Sequence, residues 1–218
     1  MRKTELAETL REIGIIATVR EPDEQQLLRE VTALTGGGVR TVELAYATIR
    51  GSGWLVQRLK ADGVLVGVGT ITRSAQAREA GAFGADFITA SVTTPDVVLA
   101  CEEMDVPCIL SGLTPTEIWR AHEMAADFVK IMVAEALGGP RYIRSLREAL
   151  PTLRLVGADM PLDGYATYLE AGVEVLEFKS ALALPELAER GAWAEISRRA
   201  SEAVNTYNHW RTNQKQST

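Results

Sequence analysis

The sequence of 218 residues is poor in the side chains that most often build disulfides, metal centres and acid–base pairs, with two cysteines and two histidines. Cys101 and Cys108 both lie in apolar stretches, so we expect reduced core thiols and neither a disulfide framework nor a zinc site. His122 falls in a helical stretch and His209 near the end of the chain. We therefore expect both histidines to be surface or packing residues.

Long apolar runs and a basic surface are also missing. No run approaches the roughly 18 residues that a membrane span needs, and the first ten residues are charged and helical in pattern, unlike a signal peptide. The net charge of −6 argues against a nucleic-acid or anionic-membrane partner, although a few local cations could still bind an anionic small molecule. We expect a cytoplasmic protein.

What the chain does contain is a repeated alternation of short β-branched runs with amphipathic stretches. Strands alternating with helices indicate right-handed βαβ units and a parallel sheet, and eight of them match a closed (β/α)8 barrel. An open doubly wound sheet is the alternative. The predicted strands are residues 15–20, 41–46, 65–70, 86–91, 107–112, 128–133, 154–159 and 173–180.

The alternation runs through the chain without a Pro/Gly/Ser-rich linker. We therefore predict a single barrel domain over residues 1–210, with an extra helix near 3–12 before the barrel and a long closing helix near 192–210. The polar tail 211–218 is predicted to be disordered.

Alternation of side chains along the strands predicts which charged groups face the barrel interior. In "FVKIMV", Lys130 points inward while Val129, Ile131 and Val133 pack on the helices. Glu43 faces inward by the same rule.

Further charged groups are expected in the same place. Glu177 and Lys179 face inward or lie at the rim, and Asp159 ends the seventh strand. Unpaired buried charges are costly, so these groups should pair or do chemistry, and a structural ion-pair network is the alternative for any one of them.

Lys130 has the surroundings of a reactive lysine. Apolar walls and a second cation would both lower its pKa, and a neutral amine can form a Schiff base with a ketone. The protonated imine is an electron sink beside which a carbon–carbon bond can break or form. Glu43 could carry the protons that the reaction needs.

The motifs around these residues resemble the 2-keto-3-deoxy-6-phosphogluconate (KDPG) / 4-hydroxy-2-oxoglutarate (KHG) aldolases over about residues 5–205. "GGGVRTVEL" resembles the family's segment with the catalytic glutamate, and the block from "VPCILSG" to "EALGGPRYIRSL" is similar to the segment around its lysine. The resemblance implies a class I, metal-free, cofactor-free (β/α)8 enzyme that acts on a 2-oxo acid such as pyruvate and forms a homotrimer. It implies Lys130 as the Schiff-base lysine, Glu43 as the acid/base, and Thr70 and Arg20 near the substrate.

The chain departs from the family pattern where the substrate's far end should bind. The family's Phe-Phe-Pro after the lysine is "IMV" here, its Ser-Pro-Gly is "TAS", and a common arginine is Ala47. The glycine-rich turns after strands seven and eight, which hold phosphate through backbone N–H groups, become "GADM" (157–160) and "FKS" (178–180). Asp159 would repel a phosphate, whereas Lys179 and Ser180 could still bind an anion.

Several interpretations stay open at this point. Lys179 could lower the pKa of Lys130, bind a substrate carboxylate, or pair with Asp159 or Glu177. The leading hypothesis is a Schiff-base aldolase with a non-standard, non-phosphorylated partner, for which Asp159, Lys179 and Ser180 shape the acceptor site. The alternatives are a decarboxylase, dehydratase, isomerase or cyclase that uses the same imine, and a non-catalytic binding barrel.

Overall fold

Eight parallel strands close into a barrel in the order β1 to β8, which confirms the predicted fold class. A computed structural model describes residues 2–216, with side chains through residue 214. Each strand pairs in parallel with its sequence neighbours, and β1 pairs with β8. The strands are β1 Ile15–Val19, β2 Thr41–Ala45, β3 Leu65–Ile71, β4 Phe87–Ala90, β5 Cys108–Gly112, β6 Phe128–Ile131, β7 Leu155–Ala158 and β8 Val175–Phe178.

Helices surround the barrel, and a short 3₁₀ helix, Ala134–Leu137, follows β6. Side chains cap the starts of some of these helices. For example, Asp23 caps one helix by accepting a hydrogen bond from the Gln26 N–H at 2.8 Å. The helices are α1 Lys3–Ile13, α2 Glu24–Gly36, α3 Tyr46–Ile49, α4 Trp54–Ala61, α5 Ser74–Ala82, α6 Pro95–Glu103, α7 Pro115–Glu123, α8 Pro140–Ala149, α9 Ala166–Glu170, α10 Pro185–Glu189 and α11 Trp193–Gln216.

The apolar core has two layers, and the alternation of side chains separates them as predicted. Val129, Ile131 and their counterparts on the other strands pack between the barrel and the helices. Phe128 belongs to the second layer, which lies inside the barrel. Leu6 and Leu10 of α1 pack against this layer. The extra N-terminal helix therefore closes the end of the barrel opposite the C-terminal ends of the strands.

The same triplet, "ADF", stands at the start of two strands, at residues 85–87 and 126–128. Asp86 precedes β4, and its carboxylate accepts a hydrogen bond from the Val66 N–H at 2.9 Å. Asp127 precedes β6 and accepts one from the Cys108 N–H at 2.8 Å. In each case the aspartate satisfies a backbone donor at the entrance to the neighbouring strand, which fixes the parallel register there.

Two local predictions are corrected. Val133 was expected to pack on the helices, but β6 ends at Ile131 and Val133 is 47% exposed with a left-handed φ of 55°. Residues 211–216 of the predicted disordered tail are helical, because α11 continues to Gln216. Residues 217–218 lie outside the described residues.

No helix within residues 2–216 combines the length and the apolar character that crossing a membrane requires.

Candidate active site

Lys130 lies inside the barrel on β6, where the strand pattern predicted it. The Nζ of Lys130 is 2.6 Å from Oε2 of Glu177 and 3.4 Å from Oε2 of Glu43. Lys130 is buried, with 6% of its surface exposed. The contact with Glu43 has hydrogen-bond geometry, whereas the closer contact with Glu177 is an ion pair. One buried cation therefore lies between two buried carboxyl groups.

Glu43 reaches Lys130 because β3 leaves room for its side chain. Ala45 of β2 pairs in register with Gly69 of β3. A Cβ on Gly69 would lie 2.1 Å from Oε1 of Glu43 and 2.3 Å from its Cδ. Glycine at position 69 is thus what allows the carboxyl group to occupy the interior of the barrel.

Glu177 is the member of this group that we did not assign to the site from the sequence. Strand alternation placed it inward or at the rim, and the structure places it fully inside, 1% exposed. The Thr18 hydroxyl of β1 donates a hydrogen bond to its Oε1 at 3.1 Å. The same alternation applied to β1 puts Thr18 inside the barrel, so this pairing had a usable signal in the sequence.

The electrostatics of the three groups differ from our expectation. Burial by itself lowers the pKa of Lys130, but attraction to Glu43 and Glu177 outweighs it, and the pKa of the lysine is raised. Burial is also the largest effect on Glu43 and raises its pKa; Lys130 opposes this, and Glu177 adds to it. The predicted lowering of the lysine pKa is therefore wrong, because its close neighbours are acids and not a second cation.

Hydroxyl groups line the rest of this buried layer. Thr89 of β4 faces the Glu43 carboxyl and lowers its pKa to a small extent, although its Oγ makes no well-aligned hydrogen bond. Ser111 of β5 is adjacent to Lys130 in register and donates to the Ala90 carbonyl at 2.6 Å. The layer is polar and buried, which suits proton transfer between fixed partners.

The remaining predicted residues lie at the rim of the barrel. Arg20, Asp159, Lys179 and Ser180 all line one cavity of about 480 Å³. Thr18, the partner of Glu177, lines it too, so the cavity adjoins the buried group.

The structure defines the positions of three of these residues more closely. Asp159 is exposed and Lys179 half-buried, so they belong to the rim and not to the interior. Within the part of the chain that is described, Lys179 makes no ion pair with Asp159 or Glu177. Thr70 is exposed at the end of β3, with a left-handed φ of 65°, and does not line the cavity.

The loop after β7 carries two acids, Asp159 and Asp163. Asp159 has a left-handed φ of 59°, and beside it lies a second cavity lined by Glu135, Asp163 and Ser180, among others. No lysine or arginine lines this second cavity within the described chain. Between residues 2 and 214 the structure also shows no cluster of three or more His, Cys, Asp or Glu side chains suited to a metal ion.

Comparisons with known proteins agree with this architecture. The family model described as KDPG and KHG aldolase matches residues 6–199. The chain is 33% identical over 153 residues to the 2-dehydro-3-deoxy-phosphogluconate aldolase of Treponema pallidum, covering 70% of this chain and 71% of that protein. It is 26% identical over 211 residues to the enzyme of the same name from Pseudomonas aeruginosa, covering 94% and 95%.

A solved structure shows the same fold. The KDPG aldolase from Legionella pneumophila, with pyruvate captured as a covalent carbinolamine intermediate, superposes with a TM-score of 0.81. The match is 19% identical and covers 91% of this chain and 97% of that one.

Proposed function

The chain belongs to the KDPG and KHG aldolase family, and from this premise we propose that Lys130 is its Schiff-base nucleophile and Glu43 its proton carrier. The family makes the protein a class I aldolase, a carbon–carbon lyase. The observation that carries the assignment is the buried contact between Lys130 Nζ and Glu43 Oε2, at the C-terminal half of a barrel lined there by polar groups.

The proposed donor is a 2-oxo acid such as pyruvate. The Lys130 amine attacks the keto carbon, and loss of water gives a protonated imine that stabilises a carbanion at the adjacent carbon. Glu43 is close enough to exchange protons at the nitrogen and at the departing oxygen. Its raised pKa favours the protonated form, which can act as the acid in the dehydration step.

The proposed acceptor carries no phosphate. The rim cavity has four carboxyl groups among its lining residues, from Glu21, Glu30, Asp159 and Glu189, against the two cations Arg20 and Lys179. The second cavity, between the segments that follow β6, β7 and β8, adds the acids Glu135 and Asp163 and no cation within the described residues. A phosphate dianion would be repelled there, while a hydroxylated neutral end could accept and donate hydrogen bonds. Arg20, Lys179 and Ser180 are the proposed donors to this acceptor.

A matched pair of aldehydes tests the acceptor. Aldol addition of pyruvate to glyceraldehyde and to glyceraldehyde 3-phosphate would be compared through kcat/KM. We expect kcat/KM to be at least about tenfold higher for the unphosphorylated aldehyde, which is equivalent to about 1.4 kcal/mol of transition-state stabilisation. A preference for the phosphorylated aldehyde would contradict the proposal and assign Lys179 and Ser180 to a phosphate site.

A second candidate is a different imine reaction, such as dehydration or decarboxylation. The observation that favours it is the second buried carboxyl group, Glu177, beside the lysine. Product analysis separates the two functions, since only aldol cleavage releases a free 2-oxo acid together with an aldehyde.

A cytoplasmic location stays a prediction from the sequence.

We also propose that the protein forms a homotrimer. Large apolar side chains are exposed on three outer helices, namely Trp54 on α4, Leu99 on α6 and Trp119 on α7. An interface would cover such side chains. Light scattering on the purified protein should give three times the mass of 23.7 kDa; a monomer would refute the trimer.

A further inference from the structure

We propose that Glu177 is a second catalytic carboxylate, which takes the proton from the Lys130 ammonium so that the free amine can attack the 2-oxo acid. The inference rests on the proposed function of Lys130. Its basis is distance, because Oε2 of Glu177 is 2.6 Å from Nζ while the nearest oxygen of Glu43 is 3.4 Å away. Of the two carboxylates, Glu177 is the better placed to receive this proton.

The surroundings of Glu177 fix its carboxylate for this transfer. Thr18 donates to Oε1 and leaves Oε2 free of other partners within the described chain, 2.6 Å from the lysine Nζ in an ion pair that lacks aligned hydrogen-bond geometry. The charged groups that face it are Lys130 from β6 and Glu43 from β2. Its register partners on the adjacent strands, Ile16 of β1 and Ala158 of β7, are apolar.

Two residues after Glu177, and one position beyond the end of β8, Lys179 lies at the rim. Thr18 also lines the rim cavity, so the carboxylate that it orients lies next to the space where the substrate would enter.

The proton balance gives the two carboxyl groups different tasks. In the proposed cycle Lys130 starts as an ammonium paired with the Glu177 carboxylate, and Glu43 starts with the proton that the dehydration consumes. Transfer of one proton to Glu177 gives an amine. Addition of the amine to the ketone, with one proton supplied by Glu43, then yields a protonated imine, one water molecule and the Glu43 carboxylate. That carboxylate is now a base for the carbon–carbon step.

A purely structural ion pair is the competing explanation, and it predicts the opposite sign. If Glu177 only stabilised the ammonium, replacing it with glutamine would release the amine and make imine formation faster. If Glu177 is the base, the same replacement makes imine formation slower. Glutamine keeps the shape of the side chain and can still accept the hydrogen bond from Thr18.

The test is the rate at which pyruvate is trapped on Lys130 by borohydride, followed by mass spectrometry in the wild type and in Glu177→Gln. We expect the variant to be slower by about 10²-fold near neutral pH. The deficit should narrow as the pH rises toward about 10, the ordinary pKa of a lysine, because hydroxide then removes the proton. Equal or faster trapping would overturn the proposal, and so would a deficit that stays constant with pH.

Two further variants keep the result interpretable. Glu177→Asp retains the charge but moves the carboxylate away from Lys130, so we expect a smaller deficit in the trapping rate with the same dependence on pH. This variant still tests the proposal if Glu177→Gln is poorly folded. Glu174→Gln, at the opposite end of β8 where Glu174 pairs with Arg154, should trap at the wild-type rate. Failure of the wild type to be trapped with any 2-oxo acid would instead overturn the proposed function itself.

Discussion

Replacement of Gly69 by alanine tests whether the position of the Glu43 carboxyl group controls the reaction. The new Cβ would lie 2.1 Å from Oε1 of Glu43, whereas ordinary contacts begin near 3.4 Å. The carboxyl group must therefore move by about 1.3 Å, away from its present contact with Lys130. Because a displacement of about 1 Å can cost 10²-fold in rate, we expect imine formation to slow by about that factor, or about 2.7 kcal/mol.

The loss of stability in the same variant should be smaller than the loss expected for Lys130→Met. Gly69 has no left-handed φ, and the atoms that must move belong to a side chain and not to the backbone, but the Glu43 carboxyl group is buried and leaves an ion pair, so part of that loss is expected.

Gly67, two residues earlier on the same strand, is the matched control. An alanine there would place its Cβ 2.1 Å from the Phe87 ring, which is held in the core inside the barrel. We expect a loss of about 1–3 kcal/mol in stability from overpacking and a smaller effect on the rate measured well below the unfolding temperature. Borohydride trapping and thermal unfolding would be measured on both variants. If Gly69→Ala traps pyruvate at the wild-type rate, the position of the Glu43 carboxyl group does not control imine formation and the reasoning is refuted.

Three other predictions concern stability and use thermal unfolding. Burial, with a smaller contribution from Glu21, raises the pKa of Glu30 to about 7, so this side chain's stabilisation is present below about pH 4.5 and lost as the pH rises through 7. The free energy of unfolding of Glu30→Gln should thus equal that of the wild type near pH 4.5 and exceed it by up to about 3 kcal/mol above pH 7. A gain in stability that does not depend on pH would contradict the raised pKa of Glu30. Lys130→Met removes the cation that lowers the pKa of Glu43, so the free energy of unfolding of the variant should fall by about 3 kcal/mol near pH 8 and by little near pH 4.5. Equal losses at both pH values would refute the argument that the buried carboxyl group needs this cation. Ala125→Gly should be neutral or stabilise by up to about 1 kcal/mol, because Ala125 has a left-handed φ of 60°, and a clear loss would contradict the strain argument.

The fold followed from patterns that are local in the sequence. The alternation around Lys130 and Glu43 fixed which face of each strand points inward, since a shift of one residue would bury the opposite set of side chains. The aspartates before β4 and β6 were visible in the repeated "ADF", but their role in satisfying a neighbouring strand's N–H needed the register.

The contacts between distant strands could not be read in the same way. Glu177 and Lys130 are on strands separated by β7, and the alternation rule does not say which of several inward charges meet. For this reason we expected a second lysine near Lys130, where the structure has a second acid. Asp159 and Lys179 lie one position beyond the ends of their strands, where the chain leaves the regular pattern and depth in the barrel is no longer predictable.

The most direct test of the central claim is to incubate the protein with pyruvate, reduce it with borohydride and locate the adduct by peptide mass spectrometry. We predict one pyruvate adduct, on Lys130, and none in Lys130→Met. An adduct on Lys179 or another lysine would contradict the assignment of the nucleophile, and no adduct with any 2-oxo acid would contradict Schiff-base chemistry in this barrel.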